Sequence, residues 1–310
     1  AMSSATFADE LARFGPQTGD RPLSLEASRR YCRQLARTHY ENFTVASRLL
    51  PAALRQHFYH VYAYCRWADD LADETGDPQQ SLELLDWWES ELEACYAGQP
   101  RHPVFCALAE TIETFSIPSE PFRNLLTAFR QDQCLRRYET FDQLLGYCAN
   151  SANPVGHLVL YLGRCFDERR AALSDQICTG LQLANFCQDV ARDWDRGRVY
   201  LPHTTCDQFG YDDSHFERRE YNRSFRDALQ YEVARAEAFL RSGEPLVELM
   251  PAELAAEVWL FRQGGLKILE HIRRLDYNIW LRRPEVSKRE QLGLLAGFLW
   301  QRWLARRPRA

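Results

Sequence analysis

Glycine and proline punctuate this 310-residue chain at wide intervals, and the stretches between the breaks carry apolar residues three and four positions apart. The breaks fall at Gly76-Asp77-Pro78, Gly98-Gln99-Pro100, Ile117-Pro118, Gly197 with Pro202, Gly243-Glu244-Pro245 and Arg283-Pro284. An all-β chain would show turn signals about every 8 to 12 residues. Here Phe58, Val61, Tyr62, Cys65 and Ala68 share one face at the period of a helix. The pattern predicts helices over 25–39, 51–74, 80–97, 104–115, 119–134, 141–165, 170–195, 215–241, 252–278 and 287–305. No alternating β-branched run, internal repeat or linker rich in Pro, Gly or Ser interrupts them. The expectation is an all-α, single-domain protein. Residues 1–24 are read as an N-terminal extension, 25–280 as the helical domain, and 281–310 as its C-terminal helix and basic tail.

Composition narrows the class. At 45% hydrophobic, 13% aromatic and 26% charged residues, the chain is neither disordered nor of low complexity. A formal net charge of −5 disfavours nucleic acid as a partner. Of 38 basic residues only Lys267 and Lys288 are lysine; codon bias accounts for the bulk, while guanidinium favours bidentate phosphate contacts at particular sites. The ten cysteines form no C-x-x-C pair and read as buried thiols of a reducing compartment. Ala1-Met2-Ser3-Ser4 does not begin a signal peptide, and Ala1 reads as a cloning remnant. No uncharged apolar run reaches the length of a membrane span, so a cytoplasmic location is expected.

Two segments carry chemistry. In Cys65-Arg66-Trp67-Ala68-Asp69-Asp70-Leu71-Ala72-Asp73-Glu74, Asp69 and Asp73 stand one turn apart on one helix face. Like charges at that spacing cost a helix a few tenths of a kcal/mol, so a compensating partner is expected. In Gln182-Leu183-Ala184-Asn185-Phe186-Cys187-Gln188-Asp189-Val190-Ala191-Arg192-Asp193, the spacing recurs at Asp189 and Asp193, with Asn185 one turn earlier. Mg²⁺ takes oxygen from one or two carboxylates, keeps water, and completes its shell with substrate phosphate. Two such helices facing each other would hold Mg²⁺ ions bridged by a diphosphate leaving group. Ionising a carbon–oxygen bond in this way calls for an allylic or cyclopropylcarbinyl substrate and an aromatic-rich cavity to shelter the cation. Arg66 and Arg198 are candidate diphosphate clamps, each also placed for a salt bridge to neighbouring acids.

Together these segments resemble the two aspartate-rich motifs of the squalene/phytoene synthase family, the head-to-head prenyl synthases. Tyr62-Ala63-Tyr64-Cys65-Arg66 leads into the first motif, Arg198-Val199-Tyr200-Leu201-Pro202 follows the second, and Tyr147-Cys148 with Val155-Gly156 resembles a further family segment. The resemblance runs from about residue 25 to about residue 280. It implies an isoprenoid-synthase helical bundle with a central cavity, Mg²⁺ dependence, and farnesyl- or geranylgeranyl-type diphosphate substrates. By position, Asp69 and Asp73 would bind metal from one wall and Asn185, Asp189 and Asp193 from the other. Asp70, Arg66 and Tyr62 would support diphosphate, with Asn42, Phe43, Gln182 and Tyr200 also placed at the substrate, and Tyr147 corresponds to a cavity tyrosine linked to proton handling.

Departures from the common family pattern select a branch. His39-Tyr40-Glu41-Asn42-Phe43 replaces a segment that usually carries a basic residue, Gln188 stands where Arg is usual, and Ser151-Ala152-Asn153-Pro154-Val155-Gly156 is distinctive. All three resemble the HpnC-type bacterial hydroxysqualene synthases of hopanoid pathways. Two missing cations suit a pocket that receives one diphosphate instead of two, since an unpaired buried Arg is costly. The expected reaction is presqualene diphosphate plus water to hydroxysqualene and diphosphate, with Asn150, Asn153 and Tyr147 as candidates for holding the water. Asn153, before Pro154, is equally placed to satisfy backbone groups at a helix kink. The alternatives are presqualene diphosphate synthase, NADPH-dependent squalene synthase, phytoene or dehydrosqualene synthase, and a noncatalytic assembly factor, which would be expected to have lost its aspartates. Residues 281–310 carry a net charge of +6 against −11 for the rest. That tail either packs on the core or lies at the inner membrane surface, where lipid substrates and other hopanoid-pathway enzymes would be met.

Overall fold

A computed structural model describes residues 6–18, 23–39, 50–287, 289–290, 293–294 and 298. Helices are the regular elements of these residues, with no strand among them; an isolated bridge joins Arg137 and Val199. The helices are α1 (Phe7–Phe14), α2 (Leu25–His39), α3 (Ala52–Asp73), α4 (Pro78–Tyr96), α5 (Pro103–Phe115), α6 (Glu120–Cys134), α7 (Phe141–Ser151), α8 (Asn153–Leu162), α9 (Glu168–Asp195), α10 (His203–Phe209), α11 (Asp213–Glu217), α12 (Arg223–Ser242), α13 (Leu246–Leu249) and α14 (Ala252–Arg274). The chain divides into two compact units: Ala1–Leu135 with His157–Cys165, and Arg136–Gly156 with Phe166–Ala310.

Local chemistry accounts for most helix ends. Asp77 accepts from the Gln79 amide and Pro78 opens α4; His102 Nδ1 accepts from the Val104 amide and Pro103 opens α5. Thr140, Asp167 and Asn222 cap α7, α9 and α12 in the same way. The segment read as an N-terminal extension holds α1, started by a reciprocal Thr6–Asp9 capping box, and its Phe7, Leu11 and Phe14 pack against the first unit's core. The helix expected over 141–165 is broken at Ala152, where Pro154 cannot donate to the preceding turn, and ends at Leu162. The helix expected over 215–241 begins only at Arg223, because residues 213–217 close a short turn of their own. The helix expected over 252–278 ends at Arg274, ahead of Asp276 and Tyr277, which both adopt positive φ, and the described residues 289–290, 293–294 and 298 are again helical.

In the first unit, α3 is surrounded by α2, α4, α5 and α6. Its inner face carries Val61, Tyr64, Trp67, Ala68 and Leu71, which join Leu85, Trp88, Leu92, Phe105, Leu108, Phe122 and Leu126 in one core. Trp67 stacks on Trp88 at 5.4 Å and meets the His102 ring edge-on at 4.5 Å. The polar ends of these rings are used: Trp67 Nε1 donates to Tyr31 Oη at 2.9 Å, and Tyr64 Oη donates to the Phe122 carbonyl at 2.9 Å. Near the C-terminal end of α3, the Ala72 carbonyl accepts from Ser81 Oγ at 3.0 Å and Gln133 Nε2 at 3.1 Å, which fixes the last turn against α4 and α6.

In the second unit, α9 packs against α7, α12, α13 and α14. Gly180 of α9 and Gly265 of α14 both face Leu240 of α12 so closely that a Cβ at either would lie within 3.0 Å of it. All ten cysteines are free. Among the described residues no helix is long and apolar enough to cross a membrane.

Candidate active site

The first carboxylate group lies at the C-terminal end of α3. Burial of the Trp67, Ala68, Leu71 and Ala72 face turns Asp73 to solvent, leaves Asp69 half-buried, and draws Asp70 inward until it is 7% exposed. Arg66, one turn earlier, is a cation beside Asp70 and Asp69. Its Nε donates to Asp70 Oδ2 at 2.9 Å, a terminal nitrogen bonds Oδ1, and Nη1 approaches Asp69 Oδ2 at 3.6 Å. Burial works against the Arg66 charge, but Asp70 and Asp69 outweigh it and hold the guanidinium above its ordinary pKa. Tyr62 lies one turn before Arg66, half-buried, its phenol pushed up chiefly by burial.

The second group lies in the last three turns of α9. Asn185 is exposed, Asp193 half-buried and Asp189 9% exposed, while Leu183, Phe186, Cys187 and Val190 occupy the core side. Gln182, one turn before Asn185, is half-buried. Both Asp189 oxygens are engaged by Arg283, whose Nε donates to Oδ1 at 2.5 Å and a terminal nitrogen to Oδ2 at 2.9 Å. The hydrogen bond and charge of Asp189 hold the Arg283 guanidinium above its ordinary pKa against the penalty of burial. Gln188 is 5% exposed and donates to the Pro284 carbonyl at 2.5 Å. Its side chain therefore anchors residues 283–284 to α9.

Beyond α9 the chain turns sharply. Gly197 adopts φ of +72°, and the Arg198 amide returns to the Asp193 carbonyl at 2.8 Å, leaving Arg198 half-buried. The Val199 amide then bonds the Arg136 carbonyl at 2.8 Å, which brings Tyr200 under α9. Tyr200 stacks on Phe186 at 4.0 Å, and both rings adjoin Tyr147 of α7; Tyr138 completes the cluster, 5.5 Å from Tyr147 and 5.7 Å from Tyr200. Tyr147 is 5% exposed. Asn150 donates to the Gly146 carbonyl of its own helix at 3.4 Å, and Asn153 Oδ1 accepts from Thr179 Oγ1 of α9 at 3.0 Å. The side-chain oxygen of Asn153 is thus engaged by α9.

Asn42 and Phe43 lie outside the described residues, as does most of the C-terminal stretch expected to pack or to meet a membrane. Within that stretch Phe298 is 5% exposed and packs against Trp259 at 5.2 Å.

The donor set fits magnesium. Every candidate ligand is a hard oxygen, and among the described residues no group of three or more His, Cys, Asp or Glu could hold a metal by itself. Each helix therefore offers a pair of carboxylates, the number Mg²⁺ uses when water and phosphate complete its shell. A guanidinium stands on each group, Arg66 on Asp70 and Arg283 on Asp189. Arg283, Tyr138 and the role of Gln188 were not readable in advance. Arg283 meets Asp189 across 94 positions, and the sequence marks it only as a helix break before Pro284.

The squalene/phytoene synthase family model matches residues 36–290 of the chain. A phytoene synthase of Arthrospira platensis is 30% identical over 278 residues, covering 86% of this chain and 90% of its own length. A 15-cis-phytoene synthase of Synechocystis sp. is also 30% identical, over 87% of this chain and 83% of its own. The crystal structure of squalene synthase HpnC from Alicyclobacillus acidocaldarius superposes with a TM-score of 0.79 at 44% identity, covering 84% of this chain and 98% of that one.

Proposed function

The chain belongs to the squalene/phytoene synthase family, and on that premise we propose that it is a Mg²⁺-dependent hydroxysqualene synthase converting presqualene diphosphate and water to hydroxysqualene and diphosphate. The observation that carries the choice within the family is the 44% identity to squalene synthase HpnC, against about 30% for the phytoene synthases. The segments at 39–43 and 151–156 and the residue at 188 point the same way.

In this reading Asp69 and Asp73 would hold Mg²⁺ on α3, and Asn185, Asp189 and Asp193 would hold Mg²⁺ on α9. Bound Mg²⁺ supplies Lewis-acid neutralisation of the charge that develops on the departing diphosphate. Arg66 and Tyr62 stand beside the first carboxylates and orient the diphosphate, and Arg198 does so beside the second. The rings of Phe186, Tyr200, Tyr147 and Tyr138 form an apolar wall whose π faces stabilise a carbocation without trapping it as a covalent adduct. Water supplies the hydroxyl oxygen. Tyr147, buried in that cluster, is the residue proposed to handle the proton, with Asn150 and Asn153 nearby in sequence on α7 and α8.

A second reading, phytoene synthesis from geranylgeranyl diphosphate, is favoured by the names of the sequence relatives. The purified protein with Mg²⁺ should be given presqualene, farnesyl and geranylgeranyl diphosphates separately, with and without NADPH. Hydroxysqualene from presqualene diphosphate without NADPH supports the proposal. Phytoene from the C20 substrate, or squalene only when NADPH is present, replaces it. Asp69→Asn and Asp189→Asn should each abolish turnover while retaining the helical circular-dichroism spectrum, and near-normal activity in either would sink the metal assignment.

A further inference from the structure

Both oxygens of Asp189 are hydrogen-bonded by Arg283, while Arg192 of the same helix stands off at 4.0 Å from Oδ1. The Arg283 fork occupies Oδ1 and Oδ2 at 2.5 and 2.9 Å, and the carboxylate is 9% exposed, so this is not a solvated surface pair of small consequence. The chain around Arg283 is anchored independently of that contact. Gln188 holds the Pro284 carbonyl at 2.5 Å, His271 Nδ1 lies 2.9 Å from the Glu285 carbonyl, and His271 Nε2 lies 2.8 Å from Glu290. The Arg283 side chain itself is held by carboxylates, Asp189 and the exposed Glu285 at 3.5 Å. Its contact with Asp189 is one of several ties that hold residues 281–287, so its release loosens that segment while the Gln188 and His271 contacts keep it in place.

A divalent cation and a guanidinium demand the same lone pairs of Asp189. Resting on the reading of Asp189 as a metal ligand, we propose that Arg283 is the resident counter-ion of Asp189, that the metal competes with it, and that loading the metal releases Arg283 from α9. A buried carboxylate without a partner is strongly destabilising, so the pair keeps α9 intact while no metal is bound. Metal affinity is then set by the difference between two cations, not by the carboxylates alone. Linkage is reciprocal: whatever factor Arg283 takes from metal affinity, the metal takes from the Arg283–Asp189 contact.

The test is Mn²⁺ binding by isothermal titration calorimetry on the wild type, Arg283→Gln, Arg283→Lys and Asp189→Asn, with hydrogen exchange of residues 281–287 measured with and without Mn²⁺. Arg283→Gln should bind Mn²⁺ about tenfold more tightly than the wild type, within the usual range of such couplings. Arg283→Lys keeps the charge but loses the fork and should fall between the two. Mn²⁺ should raise exchange across 281–287 in the wild type and leave Arg283→Gln unchanged. If the wild type binds Mn²⁺, Asp189→Asn does not, and Arg283→Gln binds equally or more weakly, the competition is overturned while the metal assignment stands. Unchanged exchange at 281–287 on loading the wild type overturns it too, with no variant needed. If Asp189→Asn binds as the wild type does, or none of the proteins binds Mn²⁺, Asp189 is not the ligand and both readings fall.

Discussion

Replacing Gly180 by alanine tests how closely the helix carrying Asp189 is seated. A Cβ at Gly180 would stand 2.8 Å from both the backbone nitrogen and Cγ of Leu240, and 3.0 Å from its Cδ2. Unstrained carbon contacts lie near 3.5–4.0 Å, so α9 and α12 must part by roughly 0.7–1 Å. The Leu240 side chain can rotate aside, but its backbone nitrogen cannot. Alanine gains about 1 kcal/mol of helix propensity over glycine, and overpacking costs typically about 1–3 kcal/mol. Because the clash is with backbone, the upper half of that range applies, and the net loss should be about 1–2 kcal/mol. Gly264 of α14 is the matched control, since a Cβ there would meet nothing within 4 Å. Alanine at Gly264 should therefore stabilise by up to about 1 kcal/mol. Urea unfolding followed by far-ultraviolet circular dichroism reads both. The midpoint should fall for Gly180→Ala and rise for Gly264→Ala. A Gly180→Ala midpoint at or above that of the wild type would refute the close seating of α9 on α12.

A double-mutant cycle on Arg66→Gln and Asp70→Asn should return a coupling of about 1–2 kcal/mol in urea unfolding, because the pair is bidentate and Asp70 is 7% exposed; a coupling near zero would mean solvent already screens it. His60 and His102 are each held down to about 3 by burial, whereas an unfolded histidine takes up its proton near pH 6.5. Their contribution to stability is therefore complete above pH 6.5 and is lost as the pH falls toward 3, by roughly 2 kcal/mol per histidine at pH 5. His102→Asn keeps an acceptor for the Val104 amide and should flatten the dependence between pH 7 and 5; an unchanged slope would place the titration elsewhere. Cys134 is the one exposed cysteine, while burial pushes the Cys95, Cys148 and Cys178 thiols up to about 12. A maleimide should label Cys134 first in the native protein, and equal labelling across the ten would show that the interior is open.

The helices were legible where one period governed a long stretch: residues 25–39 and 120–134 match their expected spans within a residue. Where Pro154 followed a continuous apolar pattern, periodicity ran through a break that only the missing amide explains. Short turns such as residues 213–217 carry too few positions to show a period at all. The two aspartate pairs were legible for the same reason as the helices, since four-residue spacing fixes a shared face before anything folds. Their counter-ions divide. Arg66 sits one turn from Asp70 and could be named, whereas Arg283 reaches Asp189 only after the chain has passed through α12 and α14. Gln188 shows the limit most plainly. Its departure from the family pattern was visible, but its use as an anchor for Pro284 is a tertiary fact.

Both acidic groups sit at the trailing ends of their helices: Asp69, Asp70 and Asp73 close the 22-residue α3, and Asp189 and Asp193 close the 28-residue α9. A helix gathers roughly half an elementary negative charge at that end from its unpaired carbonyls. The carboxylates are thus placed where the backbone already repels them, against the usual preference for Asp at a leading end. The negative charge gathered at each helix end exceeds the single positive charge of the guanidinium that stands on it. If the proposed Mg²⁺ site is right, the direction in which α3 and α9 run would add to the attraction that their carboxylates exert on a divalent ion.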